Sequence, residues 1–241
     1  MNHPPIILDL CGGTGAWSQP YTEAGYDVRL ITLPAHNVCT YQPPEHVHGI
    51  LAAPPCTMFS IARRTAKTPP DFEGGMKPVI GCLRIIWQCR VNDSLKWWAL
   101  ENPRGLLRQF LGKPPLTFQP FWYGDPWTKA TDLWGYYQPP RKHFTQLAKH
   151  HQWESFKSVG ELTRTQVRAI TPPAFAKAFY EANPSATTST AKPTATSKGA
   201  GAVGSWRSSV GREGEDRYGS SGNVTSHPPP LRRLQPSPAL R

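Results

Sequence analysis

The sequence contains no run approaching the ~18 apolar residues of a membrane span, so no transmembrane helix is expected. Its opening Met-Asn-His-Pro-Pro-Ile-Ile-Leu-Asp-Leu has no basic leader, and Asp9 interrupts the apolar stretch early, so no signal peptide is expected. No Cys-x-x-Cys occurs. The five cysteines (Cys11, Cys39, Cys56, Cys82, Cys89) are odd in number and sit among apolar neighbours, which argues against a disulfide framework or zinc knuckle and for a reducing cytoplasm. His143, His150 and His151 stand in a basic stretch without carboxylate or Cys partners, so no metal site is expected. Acidic residues are scarce: 16 Asp and Glu face 27 Lys and Arg, a formal charge of +11. That balance suggests a polyanionic partner without saying which one.

The last 57 residues lack still more. They have no Ile or Phe, six Leu or Val, and only Trp206 and Tyr218 of the chain's 26 aromatics. Such a segment buries too little apolar surface to offset the entropy of ordering its backbone. It carries a net +5, leaving +6 on the first 184 residues. One folded domain at 1–184 and a disordered, basic Ser/Thr/Pro/Gly-rich tail at 185–241 are expected.

What is present in the first 184 residues alternates between strand and helix patterns. Strands are expected at 6–10, 27–32, 49–53 and 95–100, with two aromatic-rich late strands at 118–123 and 131–137. Helices are expected at 16–24, 79–91 and 105–111, with a final one starting near Pro172-Pro173 and running through 182. Strands that are apolar throughout imply an α/β fold with a mostly parallel central sheet covered by helices on both faces. In such sheets ligands bind beyond the carboxyl ends of the strands. Three strand ends carry distinctive chemistry: a glycine cluster after the first, Pro54-Pro55-Cys56 after the third, and Glu101-Asn102-Pro103 after the fourth.

The glycine loop Asp9-Leu10-Cys11-Gly12-Gly13-Thr14-Gly15 allows a tight turn and close approach of a ligand. It is neither the Gly-x-Gly-x-x-Gly fingerprint nor a phosphate loop, since no Gly-Lys-Ser/Thr follows. The prolines before Cys56 would hold its thiol in a fixed direction, and Arg63 and Arg64 could favour its thiolate. A buried, inert thiol is the ordinary alternative and is preferred for the other four cysteines. Glu101 follows Trp97-Trp98-Ala99-Leu100, where desolvation would hold a proton on a carboxyl group near neutral pH. A nucleophilic thiol paired with a protonated carboxyl suits addition to an electron-poor heteroaromatic ring, the acid protonating nitrogen while sulfur adds to carbon.

Asp-Leu-Cys-Gly-Gly-Thr-Gly, Pro-Pro-Cys-x-x-Phe-Ser and Glu-Asn-Pro, in this order and spacing, resemble the cofactor, nucleophile and acid motifs of cytosine-5 DNA methyltransferases. Lys129-Ala-Thr-Asp-Leu-Trp-Gly135 and Thr171-Pro-Pro-Ala-Phe-Ala-Lys-Ala178 resemble the closing segments of compact, phage-type members, and the likeness covers roughly residues 6–184. The resemblance implies a Rossmann-like methyltransferase fold and a monomeric cytoplasmic enzyme of a bacterial or phage-infected cell. It also implies DNA as partner, with a cytosine flipped from the duplex. S-adenosylmethionine would be held by Asp9, Leu10, Cys11, Gly12, Gly13, Gly15, Thr32, Asn37 and Pro54. Cys56 would add to ring carbon 6 while Glu101 protonates nitrogen 3, and the methyl group would go to carbon 5. Arg63, Arg64 and Lys129 would contact the nucleic acid.

The chain departs from that pattern in four places. The second strand ends Leu30-Ile31-Thr32-Leu33, without the family's ribose-binding carboxylate, and Asn37 stands where an Asp usually meets the adenine amino group. The Gln-x-Arg-x-Arg strand is missing, Lys129 and Thr131 being the nearest polar residues, and about 50 residues between Glu101 and His151 leave no room for a large target-recognition domain. An RNA cytosine-5 methyltransferase and a cofactor-deficient nucleic-acid-binding relative are therefore the alternatives.

Overall fold

A computed structural model describes residues 3–61, 63, 66–92, 94–144 and 169–185. Arg64, His150, His151 and the expected tail beyond Ser185 lie outside the described residues. Six strands form one sheet: β1 (Ile6–Leu10), β2 (Asp27–Ile31), β3 (Val47–Ala52), β4 (Trp97–Pro103), β5 (Leu116–Phe118) and β6 (Thr131–Tyr136). Their spatial order is β2-β1-β3-β4-β6-β5. The ladders β2–β1, β1–β3 and β3–β4 are parallel, whereas β6 runs antiparallel to both β4 and β5. The sheet is thus mixed rather than mostly parallel. The late aromatic strands return without a crossover helix, and a short return favours antiparallel pairing.

Four helices accompany the sheet among the described residues: α1 (Gln19–Glu23), α2 (Phe72–Val91), α3 (Arg108–Leu111) and α4 (Pro173–Ala182). Strand side chains alternate between two apolar clusters. Leu8, Leu10, Ile50, Ala52 and Leu100 pack with Val79, Cys82, Ile85 and Ile86 of α2. Ile7, Leu51, Ala99 and Leu133 pack with Tyr21 of α1 and Phe175 and Phe179 of α4. Helices therefore cover both faces, as expected.

Several boundaries differ from the sequence expectation for identifiable reasons. The helix expected at 16–24 is confined to Gln19–Glu23, because Cys11, Gly13 and Gly15 all take positive φ and the chain is still turning. The helix expected at 79–91 begins at Phe72: Asp71 caps it, its carboxylate accepting from the Gly74 amide at 2.8 Å, and Pro78 is carried inside it. The strand expected at 118–123 ends at Phe118, and Pro120–Trp122 form a 3-10 turn. The fourth strand does not stop at Leu100. Because β6 runs on past the end of β3, it pairs Glu101 with Leu133, Asn102 with Asp132 and Pro103 with Thr131. Glu101 accordingly sits within a strand, not in a loop after it.

Candidate active site

The strand order sets the location. β1 is flanked by β2 on one side and β3 on the other, so the connections after β1 and β3 diverge. Such a switch point opens a crevice at the carboxyl ends of the strands. The glycine loop leaves β1 there, and Pro54-Pro55-Cys56 leaves β3 there.

Below the glycine loop, Asp9 is fully buried. The Ser18 hydroxyl donates to its Oδ2 at 2.6 Å, while its Oδ1 is buried with no hydrogen-bond partner. Burial pushes the Asp9 carboxyl up to about 6, against the opposing effect of the Ser18 hydrogen bonds. Gly12 crosses directly over this carboxylate. A Cβ at that position would lie 2.1 Å from Oδ1, so no other residue lets the loop close here.

The segment after β3 is held on both sides of Cys56. Upstream, the Asn102 side-chain amide of β4 donates to the Pro54 carbonyl at 2.9 Å, a buried bond. Downstream, the Leu106 amide donates to the Phe59 carbonyl at 2.7 Å. Gly105 passes so close that a Cβ there would stand 2.3 Å from the Phe59 carbonyl oxygen. Cys56 itself is half-buried and caps a 3-10 turn, Thr57–Phe59, whose Phe59 amide donates to the Cys56 carbonyl at 3.0 Å. Phe59 is fully buried and anchors the turn in the core. The backbone is thereby fixed on both flanks of Cys56.

The same β4 segment carries Glu101, next to Asn102. Its carboxyl is buried, with Lys129 Nζ 4.0 Å from Oε1. Burial pushes Glu101 above the ordinary carboxylate range, the Lys129 ammonium opposes the shift, and the Asp132 carboxylate adds to it. Asp132, wholly buried on β6, forms an ion pair with Arg108 of α3, and the Arg108 Nη2 also reaches the Thr117 hydroxyl at 2.7 Å. That network fixes α3 to the β5–β6 edge beside the acid strand.

The sequence-selected residues divide between positions. Asp9, Leu10, Cys11, Gly12, Gly13, Gly15, Pro54, Cys56 and Glu101 stand at the carboxyl ends of β1, β3 and β4. Thr32 lies one residue past β2 and is half-buried; Asn37 is exposed, its Oδ1 accepting from the Cys39 amide at 3.0 Å within its own turn. Lys129 is directed at Glu101 rather than outward, with 16% of its side chain exposed. The Arg63 guanidinium folds onto its own loop, donating to the Thr68 carbonyl at 3.1 Å. The pairing of Asp9 with Ser18 and of Asp132 with Arg108 was not legible in sequence, because each joins residues whose spacing matches no local motif. Nor was Asp125, whose carboxylate accepts from the Ala174 and Phe175 amides at 3.2 and 3.1 Å and so caps α4 from 49 residues away. Its Gly-Asp-Pro context signals only a turn. Among the described residues no three His, Cys, Asp or Glu side chains gather to hold a metal, and no helix is long and apolar enough to cross a membrane.

No protein-family model and no curated protein matches the chain. Among solved structures it is similar to a methyltransferase of Entamoeba histolytica, at 14% identity and a TM-score of 0.37. The likeness covers 64% of this chain and 58% of that one, so the chain spans less than two thirds of that protein. A likeness this distant bears on neither activity nor substrate.

Proposed function

We propose that the chain methylates carbon 5 of cytosine in DNA through a covalent Cys56 adduct, with S-adenosylmethionine as donor. The observation that carries this reading is the double tie between the cysteine loop and the acid strand. Asn102 to Pro54 and Leu106 to Phe59 hold a half-buried thiol and a buried carboxyl, Glu101, on adjoining strand ends. The sequence motifs that resemble the family occupy those same two segments.

Each residue has a defined task in this reaction. Cys56 adds to ring carbon 6 as Glu101 delivers its proton to nitrogen 3, which the carboxyl's raised proton affinity favours. Lys129 lies beside the carboxylate that this transfer leaves behind and stabilises it electrostatically. Loss of the carbon-5 proton to solvent then expels the thiolate, and nitrogen 3 returns its proton to the Glu101 carboxylate, which restores both the aromatic ring and the acid. The bound donor supplies an electrophilic methyl group. At its amino-acid end the chain fits such a group: the unpartnered Asp9 Oδ1 and the turn at 11–15 provide a buried acceptor beneath an open backbone. At the ribose end the fit is weaker, since Thr32 replaces a carboxylate and the Asn37 amide oxygen is engaged in its own turn. Exposed Arg104, Lys113, Arg141 and Lys142 are available to phosphate on the outside of the molecule.

Mass spectrometry of nucleosides from DNA co-expressed with the chain tests the proposal. 5-Methylcytosine is expected with the wild type and is expected to vanish with Cys56→Ala. Its persistence in that variant would refute the covalent mechanism. Modification of tRNA but not of duplex DNA, incubated in parallel, would move the substrate to RNA.

A further inference from the structure

Helix α2 is the longest helix among the described residues, and the core accounts for only one of its faces. Its inward side chains, Val79, Cys82, Ile85, Ile86 and Cys89, are buried. At about 100° per residue the opposite face falls on Glu73, Lys77, Ile80, Arg84, Trp87 and Val91. Their spacing alternates between four and three residues, which keeps them in one stripe. A helix that has only solvent outside it is polar on that side. Here Ile80, Trp87 and Val91 are 57%, 65% and 67% exposed.

Charge is sorted along the same stripe. Glu73 stands in its first turn, Lys77 follows, and Arg90 flanks its last turn. All three are exposed, and among the described residues none of them is in an ion pair. Arg84, near the middle, is turned inward. Its guanidinium donates to the Val38 carbonyl at 3.3 Å, the Tyr41 carbonyl at 2.6 Å and Gln88 Oε1 at 2.8 Å. The centre of the stripe therefore carries no free charge.

We propose that a second copy of the chain docks on this stripe, α2 against α2 and antiparallel, forming a weak two-fold dimer in place of the monomer that the family resemblance implies. The residues of the stripe select both the partner and its direction. Across a two-fold axis, each residue meets the one equally far from the axis in the other copy. With the axis at residue 82, Glu73 meets Val91 with Arg90 beside it, Lys77 meets Trp87, and Ile80 meets the Arg84 stem. An acid then faces a base at each end, and an ammonium lies on an indole, the ring that cations favour most. A parallel alignment would set Glu73 on Glu73 and Lys77 on Lys77. The antiparallel one also opposes the two helix dipoles. A face about 28 Å long and about 10 Å wide falls short of the roughly 800 Å² per partner of a standard interface. The dissociation constant should accordingly be on the order of 10 µM.

Sedimentation velocity of the full-length chain between about 2 and about 200 µM tests the proposal. The sedimentation coefficient should rise from the monomer value to the dimer value across that range. A monomer at every concentration would overturn the proposal and leave the stripe to another occupant, either a segment outside the described residues or a different protein. Trp87→Ala removes an exposed side chain, so it should keep the wild-type melting temperature and stay monomeric throughout. Association as strong as in the wild type would put the interface elsewhere and overturn the assignment to α2. Glu73→Arg and Arg90→Glu should each weaken association about tenfold, and the two together in one chain should restore it, since each copy then offers the exchanged charge. A double variant as weak as the single ones would overturn the antiparallel alignment. None of these readouts involves catalysis, so the reading of Cys56 and Glu101 stands or falls separately.

Discussion

Two stretches of the same sheet edge are built very differently. On the β3–β4 side, the cysteine loop is tied to β4 and the segment just after it by two hydrogen bonds, a buried Phe59, and glycine at a contact that excludes any side chain. On the β2 side, the chain leaves the sheet through Thr32 and Leu33, the latter 71% exposed, and Asn37 satisfies only its own turn. The first arrangement determines where two reactive groups stand. The second leaves a ligand's far end to be held by whatever backbone it meets. Positional precision is thus concentrated where bonds would be made and broken, and the region that would only bind is loosely furnished.

The largest effect is expected where the contrast is sharpest. Glu101→Gln keeps the shape and removes the proton, and under the proposed activity kcat should fall about 10²–10⁴-fold. Wild-type turnover should decline as pH rises through the elevated Glu101 pKa, since the acid must be protonated; the variant should lose that limb. Lys129 holds the Glu101 pKa down, so Lys129→Met should move the limb to higher pH. A pH profile of single-turnover methylation reads both. Identical profiles for wild type and Glu101→Gln would remove Glu101 from the proton path.

Asp9 comes next, because it belongs to neither side cleanly: it is more deeply buried than Glu101 yet lies under the glycine loop. Its folded-state pKa of about 6 exceeds the unfolded value of 3.8, so the folded protein binds the proton more tightly. Its ionisation therefore costs stability as pH rises from about 4 to 6, by roughly 3 kcal/mol once complete. Asp9→Asn should flatten that part of the pH–stability curve, measured by urea unfolding at pH 5 and pH 7.5. If the two curves run parallel, the buried carboxylate is compensated by a partner.

The sequence was most informative about the side that proved rigid, and for a physical reason. Cys56 and Glu101 advertise themselves because a strand followed by Pro-Pro, or by Glu-Asn-Pro, is a local pattern with few other uses. The ties that give those residues their geometry are long-range, Asn102 to Pro54 across 48 positions and Asp132 to Arg108 across 24, and no spacing rule encodes them. The same limit explains the sheet. Four parallel strands followed from the apolar runs, whereas the reversal at β6, and with it the extension of β4 through Glu101, depends on which strand pairs beyond the end of β3.

Asn102→Ala cuts the upstream tie alone. The Pro54 carbonyl loses its buried donor, but the unpartnered Asn102 Oδ1 is removed as well, so the cost should fall near about 1–2 kcal/mol. A structural strut would lower the melting temperature and leave turnover per folded molecule unchanged. A positioning residue would lower kcat with little change in KM, which is the outcome expected if the thiol's direction depends on Pro54. Asn102→Asp, which keeps the shape but offers no N–H, should behave like alanine rather than rescue.

The smallest effect should come from improving the loose side rather than breaking the tight one. Thr32→Glu places a carboxylate one residue past β2, at a half-buried position whose backbone carbonyl already accepts from the His36 amide at 2.9 Å. The turn is therefore preserved while the ribose acceptor that the proposed activity calls for is supplied. S-adenosylmethionine affinity should rise about tenfold by calorimetry, roughly one charge-assisted hydrogen bond, with kcat unaltered. Asn37→Asp adds the same charge at an exposed site whose oxygen remains committed to the Cys39 amide, and should gain less. Equal gains from both would mean that charge in general, not a placed acceptor, limits binding at this edge. No gain from either would mean that the crevice beside β2 does not hold the ribose, and that the tight side of the sheet works without its loose neighbour.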